Sequence, residues 1–364
     1  MLMHQENSIR IADIGDYLKV FAFFAVVLQS VLAFALKTWP NHLHQIIIGI
    51  LYNLAKYTAP AFIFGILYTS LRTQPRNQFH PYRYHLHGAW QNLFVPTLWW
   101  TGIYLLVLPQ VQQHHHYHSG FSFLWQFING NAASHLWYNT MMLQFIILMP
   151  FFWWLTKLAV SHPSLVTIST ALFYLFWLGI YQVATKQSLA HWYLLDRVCL
   201  SFIIYGIYGG LAWQFAFRVN PWLIKWRKGL ILATTLVFLW TNWELSRFGF
   251  PIRLTNAPYY KVSMTCYSLL IIALVANLNL WQTQHQQDRS LTCFHWLATF
   301  AYRAFLSHVF WLYFIWQGIL HLKIIANHLI LAIILTWLIT WTWSYLSAYL
   351  IHLGWTKFKT SMND

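Results

Sequence analysis

The sequence predicts an all-α fold, a polytopic membrane bundle of about ten transmembrane helices, built as a single domain over residues 1–364 with short cytoplasmic tails at 1–15 and 353–364. Three observations predict it. Hydrophobic residues make up 59% of the chain and Asp, Glu, Lys and Arg only 8%, against about 25% charged residues in ordinary soluble domains. Apolar runs of roughly 20 residues, enough to cross ~30 Å of hydrocarbon, recur from end to end. Trp39, Trp137, Trp192, Trp281 and Trp296 fall near the ends of such runs, where indoles anchor at the membrane interface.

The first run, 17–36, opens on Asp16-Tyr17-Leu18-Lys19 and contains Gln29. Asp16 and Lys19, at i and i+3, share a helix face and are placed to pair. Gln29 lies roughly 15 Å along the helix from Lys19. With Lys19 at the inner interface, Gln29 is near mid-membrane, where a polar side chain needs a partner or a wet cavity. Ala33-Phe34-Ala35 resembles a cleavage box, but Glu6, Asp13 and Asp16 stand against Arg10 and Lys19. The positive region of a signal peptide is therefore missing, and the run reads as a retained first helix.

Nine further runs follow, at 45–71, 89–108, 135–155, 164–184, 196–217, 229–243, 260–281, 297–320 and 328–351. The 229–243 run is the shortest. Pro60, Pro96 and Pro150 fall within or at the ends of runs, which membrane helices tolerate when neighbours satisfy the freed carbonyls. The connection 109–134 carries no lysine or arginine but holds His114, His115, His116 and His118. Clustered histidines bind zinc or copper in some proteins. No nearby cysteine or carboxylate completes a site, so the expectation is a solvated loop and no metal centre.

Ten crossings put both termini on one side. Assigning that side to the cytoplasm gives it twelve basic residues: Arg10, Arg72, Arg76, Arg83, Lys157, Arg218, Lys225, Arg227, Lys228, Arg289, Lys357 and Lys359. The opposite loops hold five: Lys37, Lys186, Arg247, Arg253 and Lys323. The excess of positive charge marks the inner loops, so the chain is expected to be a multi-pass cell-membrane protein with both termini cytoplasmic. The net charge of +15 is thus spent on topology and on anionic headgroups. No segment offers the soluble basic face that nucleic acid requires. Cys199, Cys266 and Cys293 read as small packing residues.

The seven carboxylates, Glu6, Asp13, Asp16, Asp196, Glu244, Asp288 and Asp364, include no pair at acid–base spacing. Asp196-Arg197 reads as a local ion pair. Phosphate-binding glycine loops, G-x-S-x-G and H-E-x-x-H are all missing. Of nineteen histidines, His308 is the one well inside a predicted span, with Arg303 on the same helix. Ionisable groups at that depth mark either function or a hydrogen-bonded pair that fixes helix packing. Lys56 and Lys261 sit within or beside spans and are weak candidates for an anion clamp.

These residues resemble the membrane acyltransferase type 3 family. Asp16-Tyr17-Leu18-Lys19 followed by Gln29 is similar to its first-helix signature, an acidic residue, Leu-Arg, and a histidine ten residues after the arginine. The basic stretch Arg72…Arg76…Arg83 leading to Pro96 resembles the loop before its third helix. His135-Leu136-Trp137-Tyr138 is similar to the "H-x-W-[FY]" opening of its fourth, and 300–308 to its late "S-[FY]-x-x-Y-L-x-H" helix. The nearest subgroup in these motifs is the intercellular-adhesion protein C type, associated with poly-N-acetylglucosamine of biofilms and with its O-acylation or export. The resemblance implies transfer of an acyl group to a hydroxyl of a cell-surface polysaccharide. Acyl-CoA would be the donor, with no bound cofactor, and a membrane glycosyltransferase a possible neighbour. His308 is then the expected base or proton shuttle, and Arg303 orients donor or transition state. Lys19, Arg72, Arg76 and Arg83 attract the donor phosphates. Two positions depart from the family: Lys19 replaces a bidentate arginine, and Gln29 stands in the histidine's place. An amide hydrogen-bonds but does not exchange a proton near neutral pH, so Gln29 is expected to contact substrate only. Loss of that histidine keeps a second reading open, a non-catalytic relative in export or assembly of a surface polysaccharide.

Overall fold

Each apolar run folds as helix, and no strand occurs among the described residues, 11–73, 82–113, 118–186, 197–322 and 328–361, of the computed structural model. Arg10, Arg76, His114, His115, His116, Asp196 and Lys323 lie outside the described residues. Helix α1 (Ile14–Leu36) starts where the Asp13 side chain accepts from the Asp16 amide at 2.8 Å, a side-chain N-cap. Asn41 caps α2 (His42–Leu54) in the same way. The 45–71 run is interrupted: α2 ends, 55–57 form a turn, and α3 (Thr58–Arg72) resumes.

After α4 (Tyr82–Ala89), one π-helical stretch, Trp90–Phe94, leads into α5 (Val95–Val107). The loop expected at 109–134 contains a helix, α6 (Gly120–Asn129), opened by a Ser119 capping box. Helices α7 (Trp137–Ile147) and α8 (Met149–Ser161) bend by 59° at Leu148, beside Pro150. Helix α9 (Pro163–Lys186) follows; a 3-10 turn, Cys199–Phe202, then precedes α10 (Ile203–Gln214) and α11 (Ala216–Lys225), and Cys199–Gln214 meets α11 at 98°. Helix α12 (Arg227–Ser246) is longer than the shortest predicted run, and α13 (Val262–Gln284) matches its own. Helix α14 (Asp288–His321) begins nine residues before the predicted 297, and α15 (Leu329–Ser361) runs through most of the expected tail at 353–364.

Five helical segments are long and apolar enough to cross a membrane, or seven if each bent pair counts as one. That is fewer than the ten expected. Helix α5 is only 13 residues long, α12 carries Arg227, Lys228 and Glu244, and α14 carries Arg303 and His308 at its middle. The chain is nevertheless a membrane protein by its outer faces. Leu172 and Phe176 on α9, Leu232, Leu236 and Leu239 on α12, and Leu346 and Leu350 on α15 are exposed, as lipid contact permits.

Helix α1 sits at the centre, touching α2, α3, α13, α14 and α15. Tyr17, Leu18, Ala22, Phe23, Val27, Val31 and Leu32 are completely buried, so the helix is apolar-packed on nearly every side. Small residues let backbones approach, as expected where lipid removes a hydrophobic drive between helices. A Cβ on Gly15 would stand 2.9 Å from the Gly65 carbonyl of α3, and one on Gly209 of α10 would stand 2.5 Å from the Phe64 carbonyl. Both neighbours are backbone and cannot rotate away. Gly209→Ala is therefore expected to cost about 1–3 kcal/mol, read as a lower melting temperature in detergent. Gly102→Ala, where the added Cβ meets nothing within 4 Å, should melt no lower than the wild type.

Candidate functional site

Two polar clusters lie along α1. At its start, Lys19 Nζ is 3.2 Å from Asp16 Oδ1, so the expected pairing of these residues forms. The other oxygen of Asp16 is 2.8 Å from His295 Nδ1 on α14. Arg72 at the end of α3 reaches back to Asp13, with Nε 2.6 Å from Oδ2. Burial and the neighbouring Asp16 raise the Asp13 carboxyl above its ordinary value of 3.8, and Arg72 and Lys19 only partly offset this. Arg83 is exposed on α4.

The second cluster lies roughly 16 Å further along α1 and borders a half-open cavity of about 160 Å³. Gln29 and Ser30 line it from α1, Lys56 from the turn between α2 and α3, His135 from the turn before α7, and Tyr259 from the segment before α13. Gln29, Lys56 and His135 are 7%, 7% and 4% exposed. The α2–α3 break explains two of these positions: it turns the Ala55 carbonyl toward α1, and it brings Lys56 inside. Gln29 Nε2 donates to Ala55 O at 2.5 Å, and Tyr259 donates to Gln29 Oε1 at 3.4 Å. The Lys56 ammonium donates to the Tyr52 hydroxyl at 2.9 Å and stands 4.1 Å from the Tyr259 ring centroid, a cation–π contact. Among the described residues no carboxylate lines the cavity.

Behind Ser30 is His308, fully buried on α14. Its Nε2 is 3.1 Å from Ser30 Oγ, and its Nδ1 is 2.6 Å from the Phe305 carbonyl. A carbonyl only accepts, so Nδ1 carries a proton; in the neutral ring Nε2 then presents its lone pair to Ser30. His135 packs edge-on against His308, ring centroids 4.6 Å apart. Its Nε2 donates to Leu306 O at 3.3 Å, leaving Nδ1 buried without a hydrogen-bond partner. Tyr104 donates to the same Leu306 carbonyl at 2.8 Å, which fixes α14 against α5.

Of the sequence-predicted residues, Gln29 reaches the cavity and His308 stands one side chain behind it. Arg303 points elsewhere: its Nη1 is 3.1 Å from His352 Nδ1 on α15. Lys19 and Arg72 belong to the first cluster, and Arg76 lies outside the described residues. His308 was expected as the one deep histidine, yet His135 is beside it. Ser30 was missed altogether, since a serine next to Gln29 in an apolar helix has no distinguishing sequence pattern. A second cavity of about 220 Å³, mostly apolar, is lined by Thr97, Asn139 and Tyr302 among others. Arg197 donates to Asn129 O and Asn131 Oδ1 at 2.5 and 2.6 Å; Asp196, its expected partner, lies outside the described residues.

A family model described as an acyltransferase domain matches residues 15–351. No curated protein and no solved structure matches the chain.

The raised Asp13 carboxyl gives a pH test. The folded chain holds this proton more readily than the unfolded one, so the contribution is full below the unfolded value and is lost as pH rises through the folded one. Asp13→Asn keeps an oxygen to cap α1 and removes the titration. It should flatten the fall in melting temperature as pH rises above the ordinary carboxyl value of 3.8, relative to the wild type; an identical slope would contradict this account.

Proposed function

The chain belongs to the acyltransferase type 3 family, and from that premise we propose that it carries an acyl group from acyl-CoA to a hydroxyl of a cell-surface polysaccharide of the poly-N-acetylglucosamine type. One observation carries the proposal. A half-open cavity brings a lysine ammonium, an oriented imidazole behind a serine, and a histidine with an unpartnered nitrogen to one place.

Each group suits acyl transfer. A thioester carbonyl gains negative charge as it is attacked, and the Lys56 cation in a low-dielectric pocket stabilises it. The His308 imidazole, its tautomer set by the Phe305 carbonyl, serves as the base. The free nitrogen of His135 suits a hydroxyl donor, which is what a sugar offers. The first cluster is the donor entrance in this reading. There Lys19 and Arg72 draw the CoA phosphates, and the long arm of CoA spans the roughly 16 Å along α1 to Ser30; Arg76 and Arg83, which follow α3 in the sequence, add positive charge for the same phosphates. Gln29 braces the cavity wall, and Arg303 acts from the α15 side.

This reading sets the protein in the cell membrane with both termini cytoplasmic and ten crossings, α5, α12, α14 and the bent pairs completing the set. CoA enters as a substrate rather than as a resident cofactor. The glycan, the bilayer and a neighbouring glycosyltransferase are the partners.

The test is acylation of the envelope glycan in cells, with thioester consumption by the protein in nanodiscs. His308→Ala should lower transfer by roughly 100-fold or more, and Lys56→Met by roughly 100-fold. Glycan that is fully acylated without the gene but retained inside the cell would favour the export role over transfer.

A further inference from the structure

We propose that Ser30 is an acyl carrier, so that transfer proceeds through a serine ester on α1 rather than in one step between donor and acceptor. The inference rests on the acyl-transfer reading above and goes beyond it by naming the nucleophile.

Three features of the geometry support it. Ser30 lines the cavity and is hydrogen-bonded to His308 behind it. Its Oγ is 3.1 Å from the Nε2 lone pair, within the reach a base needs to activate a hydroxyl. The base is held by a third group, Phe305 O on Nδ1 at 2.6 Å, which is the nucleophile, base and orienter arrangement of covalent catalysis. In place of the usual carboxylate, the orienter here is a backbone carbonyl. The Ser30 hydroxyl also lies 3.0 Å from the Val26 carbonyl one turn earlier. Its single hydrogen therefore has two acceptors, and rotation from Val26 O to Nε2 readies the oxygen for attack without moving the helix.

The step balances. Ser30 Oγ bonds to the thioester carbonyl carbon as its proton passes to His308 Nε2; the carbon–sulfur bond breaks, and the leaving sulfur takes that proton as free thiol. In the second half a sugar hydroxyl gives its proton to His308 and attacks the serine ester. The carbon–Oγ bond breaks, and Ser30 takes the proton back. Lys56 faces the same cavity and stabilises the oxyanion in both halves. No oxidant, reductant or metal is needed.

Two measurements test this on the full-length protein in nanodiscs. A fluorophosphonate probe needs no donor; it should label the wild type at Ser30, and the label should vanish in Ser30→Ala. Incubation with acetyl-CoA, without acceptor, should release about one thiol per protein in a burst and leave an acetyl group on the peptide containing Ser30. Ser30→Ala should lose at least roughly 100-fold in turnover, and Ser30→Cys, which keeps a hydrogen-bonding group at the position, should regain the acyl adduct as a thioester. Transfer to glycan with no adduct or label on Ser30, or full turnover in Ser30→Ala, would overturn the acyl-serine and leave the transfer reading standing. A wild type that consumes no thioester and acylates no glycan would overturn the transfer reading, and the acyl-serine with it.

Discussion

Two polar contacts fix α1 against α14, and the remaining geometry depends on them. Asp16 meets His295 at one level and Ser30 meets His308 about four turns further on. Both contacts advance in the same direction, so the helices run parallel. Beside the first contact Tyr17 stacks on Phe294 with centroids 4.0 Å apart. In hydrocarbon neither helix gains by hiding apolar surface from water, so polar contacts and close packing decide which faces meet. A slip of one residue would swing each partner by about 100° and break both contacts.

The opposite side of α1 is set by shape. Gly15 against Gly65 allows α3 to cross closely, and the crossing brings Arg72 to Asp13 at one end and the Ala55 carbonyl to Gln29 at the other. Gln29 and Ser30 are neighbours in sequence and about 100° apart around the helix. One therefore braces α2 while the other meets α14, and the cavity lies between them. The amide at position 29 has both its donor and its acceptor engaged, which suits a wall better than a reacting group.

The sequence was legible wherever a signal was local. Apolar runs marked the helices, and the three-residue spacing of Asp16 and Lys19 marked a pair that forms. The charge poverty of the chain excluded a soluble fold. What was hidden is non-local. The break at 55–57 lies inside an unbroken apolar run, so nothing in periodicity announces that Lys56 turns inward. Ser30 is defined by a partner 278 residues away. His135 sits at a helix entry, where a histidine reads as interfacial, and only the packing of α5, α7 and α14 draws it inside. Of the two readings of Arg303 and His308, functional groups or a hydrogen-bonded pair, the pair does not form: five residues along a helix is well over one turn, and Arg303 faces α15.

The distance in sequence between Ser30 and His308 bears on how the protein is made. Helix α1 enters the bilayer with Asp16 and Ser30 lacking their α14 partners, and His308 emerges 278 residues after Ser30, on the order of half a minute of synthesis. During that interval α1 must be sheltered by the insertion machinery or by α3, whose glycine crossing forms early. Helix α14, with an arginine and a histidine at its centre, is a poor candidate to partition into lipid unaided and finds its place against a helix already there. Biogenesis thus closes the molecule late, when α14 docks on α1, and a ribosome that stalls before α14 leaves a fragment whose central helix has one polar face uncovered.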